Sequence, residues 1–239
     1  MIRHALVWLA AVLGVALTAS LGLWQLDRAA QKIERQRALD AQALQPALGG
    51  VQLAGAADAS ALDQRRAHLQ GHWIGAATVY LDNRPMNGRA GFYVLTPLQL
   101  ADGNGVILVQ RGWAPRDLLD RAKLPPIDTP AGPQIVDGRI TPAPHRMVAL
   151  GEDASGPIRQ NLDLQAFARE QRLALLPMVL VQSGAAAGGL LRDWPAPQTG
   201  ADKHYGYAAQ WFALAALIAG LAFWFQWWLP RKRAAAPRS

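Results

Sequence analysis

The chain carries no charge over residues 5–26, ALVWLAAVLGVALTASLGLWQL, and none over residues 205–229, YGYAAQWFALAALIAGLAFWFQWWL. A bilayer core about 30 Å thick requires roughly 20 apolar residues in a helix that rises about 1.5 Å per residue. Both stretches are long enough, so we predict a transmembrane helix near each end of the chain. The second stretch ends in an aromatic cluster, residues 223–228, of the kind that lies at membrane–water interfaces.

The charged residues are distributed unevenly around these stretches. All 17 Asp and Glu residues lie between Asp27 and Asp202, whereas the two ends of the chain carry only Lys and Arg. Because Lys and Arg in short flanking segments stay in the cytoplasm, we expect residues 1–4 and the basic tail 230–239 to be cytoplasmic. Residues 27–204 then form an extracytoplasmic, periplasmic domain. The formal net charge of +7 therefore indicates membrane topology and not nucleic-acid binding.

The first apolar stretch has a second interpretation. Thr18-Ala19-Ser20 are small residues of the type found at the cleavage site of a signal peptide. The hydrophobic stretch continues past them to Trp24, which favours a helix that is retained as an anchor. Basic residues directly after this stretch argue against the expected orientation, but long loops cross membranes largely regardless of charge. Since no Arg- and Ser-rich transit peptide precedes residue 5, we expect a bacterial inner-membrane protein.

The chain contains no cysteine. In an oxidising compartment its domain is therefore held together without disulfides. The same fact excludes a thiol nucleophile, a cysteine-ligated zinc site and a covalently attached c-type haem.

Between the apolar stretches the sequence predicts one strand-rich, mostly antiparallel α+β domain. Its clearest element is a hairpin of GFYVLTPLQL (91–100) and VILVQRGWAP (106–115), joined by Asp-Gly and Asn-Gly, which tolerate the positive φ of tight turns. The other predicted elements are a charged helix over 28–44, strands within 66–83 broken at Gly75, strands over 134–142 and 146–150, a helix over 164–174 capped within 161–163, a strand over 177–182, and a flexible run over 184–200.

Five segments together resemble a known family. They are LGLWQLDR and the following lysine (21–32), LDNRPMNGRAGFYVLTPLQL (81–100), VILVQRGWAPRD (106–117), IRQNLDLQAFARE (158–170) and HYGYAAQWFALA (204–215). Their order and spacing are similar to the surfeit locus protein one family, the assembly factors of cytochrome c oxidase. The resemblance covers nearly the whole chain, including both apolar stretches.

The resemblance implies a two-span membrane protein that helps haem a reach the catalytic subunit of an aa3-type, haem-copper oxidase during assembly. That subunit is the expected partner, with haem a synthase as a second candidate, and the protein is expected not to be an enzyme. Family members carry a histidine at the start of the second span as the candidate axial ligand of haem a, which is His204 here. Its neighbours Lys203 and Tyr205 depart from the Asn and Leu that are frequent in the family.

The residues around His204 are chemically suited to such a ligand. Imidazole is a common axial ligand of haem iron, and Tyr205, Tyr207 and Trp211 supply aromatic surface against which a porphyrin can lie. The alternative is that His204 is an interfacial polar residue within the aromatic belt. The family resemblance favours the ligand.

Four arginines near predicted strand ends are candidates for binding haem propionates or an acidic patch on a partner, since guanidinium binds carboxylates through paired hydrogen bonds. They are Arg84, Arg89, Arg111 and Arg116. For each of them, an ordinary ion pair with Asp82 or Asp117 is the alternative. Phe92, Tyr93 and Trp113 are interpreted as core residues.

Histidines outside the second span do not form a predicted metal site. His68 and His72 are four residues apart, which on the predicted strand is about 13 Å, and His145 is predicted to lie in a turn. No GxSxG or HExxH motif is present. Two other functions therefore remain as alternatives: a membrane-anchored scaffold that binds an oxidase subunit without haem, and a periplasmic hydrolase.

The second span also contains a small-xxx-small pair, Ala216 and Gly220, and Gly14 lies midway along the first span. Such residues allow two helices to approach closely. These residues are therefore candidates for contacts between the two spans or with an oxidase subunit.

Overall fold

The computed structural model describes residues 2–56, 58–120, 122–141, 156–195, 199–228 and 231. These residues form two compact units. The terminal unit combines Met1–Ala38 with Pro197–Ser239, and the central unit is Leu39–Ala196. The expected turn at His145 and the expected strand over 146–150 lie outside the described residues.

Two long helices account for the terminal unit. Helix α1 spans Ile2–Ala43 and so continues without a break from the apolar stretch into the predicted charged helix. Helix α4 spans Ala201–Phe223 and is followed by a π-helical turn, Trp224–Trp228. Both helices are long and apolar enough to cross a membrane, which confirms the prediction of one such helix near each end. The predicted membrane boundaries at residues 26 and 205 fall inside these helices and stay predictions.

The described part of the central unit contains one sheet of seven strands. They are β1 (Arg66–Trp73), β2 (Val79–Leu81), β3 (Gly91–Leu100), β4 (Val106–Pro115), β5 (Gln134–Thr141), β6 (Ile158–Arg159) and β7 (Leu175–Gln182). The order is β1-β5-β7-β4-β3-β2-β6, and β1 also pairs with β3. Strands β1, β5, β7, β4 and β3 therefore close into a barrel-like ring, which confirms the strand-rich prediction.

Most strand pairs are antiparallel, as predicted, and the longest is the β3–β4 hairpin. Its register runs from Gly91 opposite Pro115 to Gln99 opposite Val106, with an irregularity between Val94 and Leu95. Two pairs are parallel, β4 with β7 and β2 with β6. Helix α3 (Leu164–Gln171) directly precedes β7 in the chain.

Side chains of the ring strands contribute to three hydrophobic clusters. Ile107 and Val109 of β4 belong to a cluster to which all five ring strands contribute, whereas Leu108 belongs to a second cluster. The alternation follows from the two-residue period of a strand. Phe167 of α3 is fully buried in the second cluster. Asp163 caps α3 by accepting a hydrogen bond from the Ala166 N–H, as the sequence predicted.

Two segments in which the sequence predicts no helix or strand contain more structure. A short helix α2, Gly50–Ala54, and a 3₁₀ turn, Ala59–Leu62, follow the charged helix, and Leu53 is buried. The run predicted to be flexible over 184–200 includes an antiparallel bridge between Leu191 and Trp113. Leu190 is buried beside this bridge, so apolar burial orders a segment whose composition is that of a loop.

Candidate functional site

His204 lies in the first turns of α4 and is hydrogen-bonded to α1 within the terminal unit. Its Nδ1 is 2.6 Å from the side-chain Oε1 of Gln25. An amide oxygen only accepts hydrogen bonds, so Nδ1 is the donor and the lone pair of the neutral ring is on Nε2. A hydrogen bond to the second ring nitrogen is the usual way in which proteins orient a metal-binding imidazole.

The aromatic candidates lie on two sides of α4. Tyr207 and Trp211 follow His204 at helical spacings of three and seven residues and therefore share its face. Tyr205 is rotated by about 100° from His204. It borders a separate groove of about 440 Å³ beside α1, lined by Asp27, Ala30, Gln31, Ile33, Glu34 and Arg37. The structure thus groups His204 with Tyr207 and Trp211 and places Tyr205 beside this groove.

Helices α1 and α4 run antiparallel in the terminal unit, and glycines of α1 contact larger side chains of α4. A Cβ added to Gly22 would lie 2.7 Å from the Phe212 ring, and one added to Gly14 would lie 3.5 Å from Ile218. The buried face of α4 consists of alanines at seven-residue intervals, namely Ala201, Ala208, Ala215 and Ala222.

The small pair considered in the sequence is not on that buried face. Ala216 and Gly220 are exposed, and a Cβ on Gly220 would meet no described atom within 4 Å. Gly14 does contribute to the contact between α1 and α4, through Ile218. The interpretation of Ala216 and Gly220 as a contact between the spans is therefore wrong, because α4 presents a different face to α1.

Arg84, like Arg111, is buried, and its guanidinium donates hydrogen bonds within the central unit. The residue is only 7% exposed, and its Nη2 donates to the backbone carbonyl of Gln160 at 2.9 Å. Burial lowers the pKa of Arg84, while Tyr93 and Asp82 act in the opposite direction. Its own carbonyl accepts a hydrogen bond from the indole N–H of Trp113. Arg84 therefore joins the loop after β2 to the rest of the domain.

Arg116 and Arg89 are nearer the surface. Arg116 forms an ion pair with Asp82 at 3.3 Å, which was one of the expected pairs. Asp117, the other expected partner, pairs instead with Lys123 at 2.9 Å. Arg89 is exposed, and its guanidinium lies 5.9 Å from the ring centroid of Trp113. Of the four candidates, Arg89 is thus the one whose side chain is most accessible to a binding partner.

Arg111, on β4, is 5% exposed and is held by neutral groups. Its Nη1 donates to Thr129 Oγ1 at 2.8 Å, and its Nη2 donates to the backbone carbonyl of Asp128 at 2.6 Å. The guanidinium also lies over the Trp73 ring, 4.6 Å from its centroid. Burial lowers the pKa of Arg111, and the positive charge of Arg192 lowers it further. An ion pair was the alternative expected for Arg111, and the hydrogen bonds observed are to a hydroxyl and a carbonyl.

His68 and His72, the two histidines in the described part of the central unit, lie on β1, the strand that the sequence predicted for them. His68 Nδ1 is 2.7 Å from Asp137 Oδ1 on β5, and His72 is exposed four residues further along the strand. Within the described ranges, no group of three metal-binding side chains comes together.

Sequence reasoning did not identify Gln25 as part of the site. A signal was present, because Gln25 is a strongly polar residue near the end of an otherwise apolar stretch. A polar residue in a membrane helix usually faces a neighbouring helix or a functional site. The pairing with His204, 179 positions away in sequence, becomes visible only when α1 and α4 lie side by side.

Comparisons with known proteins agree with the features above. A model of the SURF1 family matches residues 12–216. A curated SURF1-like protein from Dictyostelium discoideum is 37% identical to this chain over 68 residues. That alignment covers 28% of this chain and 25% of the relative, so it spans about a quarter of the relative's length.

Proposed function

This chain belongs to the SURF1 family, and from that premise we propose that it is an assembly factor for a haem-copper, aa3-type cytochrome c oxidase. Its task is to assist the insertion of haem a into the catalytic subunit. Binding and transfer of a cofactor require no catalytic group, and we propose that the protein is not an enzyme.

The proposed setting is a bacterial inner membrane that the chain crosses twice. The lengths and composition of α1 and α4 support two spans. The basic ends of the chain support cytoplasmic termini, with the strand-rich central unit in the periplasm.

The observation that carries the haem proposal is the hydrogen bond between His204 and Gln25. It leaves Nε2 as the nitrogen that would bind haem iron, and neutral imidazole is a common axial ligand. Tyr207 and Trp211 share the face of His204 and offer aromatic surface to the macrocycle. The donor set therefore fits haem a, whose iron supplies the redox chemistry of the oxidase once the group is delivered.

The proposed partner is the catalytic subunit of the oxidase, with haem a synthase as a second candidate. Arg89 is exposed on the central unit and is available to a propionate or to an acidic patch of a partner. Arg84 and Arg111 already donate hydrogen bonds within the domain. Of the four arginines, Arg89 is therefore the one that we propose as the contact to a partner.

The proposal is tested with reduced-minus-oxidised absorption spectra of membranes from a strain that lacks this gene and any second copy. We expect the a-type haem signal and the oxidase activity to fall and the intact gene to restore both. An unchanged signal in the deletion strain would contradict the assembly role.

Rescue with His204→Ala then tests the ligand, with His72→Ala, an exposed histidine on β1, as the matched control. We expect only His204→Ala to fail and to lose haem when purified. If His204→Ala rescues fully and the purified wild type is colourless after co-expression with the haem a biosynthetic enzymes, the chain is a scaffold that does not bind haem.

A further inference from the structure

A second site lies wholly within the central unit. Four strands and two connecting segments surround a cavity of about 220 Å³ that is partly open to solvent. Trp73 at the end of β1, Arg111 on β4 and Gln182 at the end of β7 line it, together with Asp128 and Arg192 from the connecting segments. The volume suits a small chemical group and is too small for a porphyrin, so this cavity is separate from the proposed haem contact at His204.

The connecting segments form part of the cavity wall through close backbone contacts. The Asp128 N–H donates to the carbonyl of Gly188 at 3.1 Å. A Cβ on Gly188, whose φ is +63°, would lie 3.3 Å from the carbonyl oxygen of Asp128. The contact at Gly189 is tighter still, since its Cβ would lie 2.9 Å from the carbonyl oxygen of Pro126. These contacts fix the segments that carry Asp128 and Arg192.

Two arginines and one acidic residue line this cavity. Arg192 donates from Nε to the backbone carbonyl of Arg111 at 2.8 Å, which holds the two arginines together. Burial is the largest cause that lowers the pKa of both arginines. The positive charge of Arg192 lowers the pKa of Arg111 further. Asp128 is the acidic residue in the described lining, and Arg111 bonds to its backbone carbonyl. The lining therefore carries a net charge of one positive unit, which suits a monoanion.

Two buried polar atoms of the lining residues have no hydrogen-bond partner among the described residues. They are Nε of Arg111, a donor, and Oε1 of Gln182, an acceptor. Leaving such buried atoms unpaired is unfavourable, most of all for a charged group. A bound group that satisfies both must present an acceptor to the guanidinium and a donor to the amide oxygen.

We propose that this cavity binds a carboxylate group with a neighbouring N–H donor, as found in an N-acyl amino acid or at the C-terminus of a peptide. The carboxylate accepts hydrogen bonds from Arg111 and Arg192, and the N–H donates to Gln182. This assignment stands independently of the proposed role in oxidase assembly, because it rests on a different unit of the chain.

The test uses the purified full-length protein in detergent and saturation-transfer NMR titrations with N-acetylglycine. We expect saturable binding of N-acetylglycine. The neutral analogue N-acetylglycinamide lacks the charge, acetate lacks the N–H donor, and the charge of inorganic phosphate does not match that of the cavity. We therefore expect each of these three to bind at least about tenfold more weakly. Failure of N-acetylglycine to bind overturns the proposal. Equal binding of acetate or phosphate overturns the role of Gln182.

Two variants keep the test falsifiable if one of them does not fold. Arg192→Gln removes the less buried charge, and Arg111→Lys keeps a charge but removes the Nε donor and the planar geometry. Each should weaken N-acetylglycine binding about tenfold or more. The control is Arg139→Gln on β5, whose guanidinium donates to Gln64 and does not line the cavity. A folded Arg192→Gln variant that binds like the wild type overturns the site.

A last pair of ligands distinguishes the two sources of the carboxylate. A short peptide with a free C-terminus is compared with the same peptide amidated. Tighter binding of the free peptide than of N-acetylglycine identifies a polypeptide terminus as the ligand. Binding of N-acetylglycine alone identifies a free small acid.

Discussion

The indole N–H of Trp113 donates a hydrogen bond to the backbone carbonyl of Arg84 at 2.6 Å, and both residues are buried. Trp113 lies on β4 and Arg84 in the loop between β2 and β3, so the bond fixes that loop to the sheet. Arg84 in turn donates to the carbonyl of Gln160, close to β6. Three segments that are distant in sequence are thus tied together by one indole and one guanidinium.

Trp113→Phe should destabilise the central unit. Phe keeps an aromatic ring but removes the indole N–H that donates to the carbonyl of Arg84, and loss of one buried hydrogen bond costs about 1–3 kcal/mol. Chemical denaturation followed by circular dichroism measures the change. The matched control is Tyr93→Phe at the position paired with Trp113 across the hairpin, which also removes one polar group from an aromatic ring. Equal stability of Trp113→Phe and the wild type would contradict the role of this bond.

Gly71→Ala should be destabilising because of a backbone contact. A Cβ at this position would lie 2.1 Å from the backbone oxygen of Gln99, where β1 pairs with β3. The strands must move apart, and overpacking of this kind costs about 1–3 kcal/mol. Gly132→Ala is the control, since its Cβ would meet no described atom within 4 Å. If thermal unfolding of the two variants coincides, the β1–β3 contact that closes the ring is not as described.

The local elements could be predicted from sequence because their signals are local. The apolar, strand-forming stretches 91–100 and 106–115 and the Asp-Gly turn between them specify the β3–β4 hairpin. The side chain of Asp163 specifies the start of α3. Two apolar stretches specify α1 and most of α4. In each case the residues that determine the element lie within it or next to it.

The cavity around Arg111 could not be predicted, because its lining comes from positions far apart in sequence. Arg192 lies in a Gly- and Ala-rich segment with the composition of a loop, and its hydrogen bonds to the carbonyls of Arg111 and Ala185 become visible only in the folded chain. The face that α4 presents to α1 was also missed. Gly and Ala are frequent throughout α4, so composition alone does not distinguish the buried Ala208 and Ala215 from the exposed Ala216.

The loop after β4 should respond to acid. The Asp117 carboxylate accepts hydrogen bonds from Lys123 Nζ and from the N–H groups of Leu119 and Asp120, which lower the pKa of Asp117 from 3.8 to about 2. Because the folded-state pKa is lowered, these bonds stabilise the loop fully above about pH 4 and are lost as the pH falls toward 2.

Hydrogen exchange of the Leu119 and Asp120 amides, corrected for the intrinsic rate, measures this effect. We expect their protection to fall between about pH 4 and pH 2 in the wild type. Asp117→Asn should reduce the protection at neutral pH and remove its dependence on pH in this range. Asp58→Asn changes another carboxylate that caps a turn and should leave Leu119 and Asp120 unaffected. If protection of these amides in the wild type does not depend on pH, Asp117 does not stabilise the loop in this way.

Gln25 should act as a positioning residue for His204. Gln25→Met preserves size but removes the oxygen that accepts from His204 Nδ1, and loss of such a partner typically weakens metal binding about 10–100-fold. Gln25→Glu retains an acceptor and should restore binding. The measurement is the haem a content and absorption spectrum of purified full-length protein after co-expression with the haem a biosynthetic enzymes. A purely structural role predicts that both variants lose haem only in proportion to lost stability. Wild-type haem content in a folded Gln25→Met variant would show that His204 needs no orientation by Gln25.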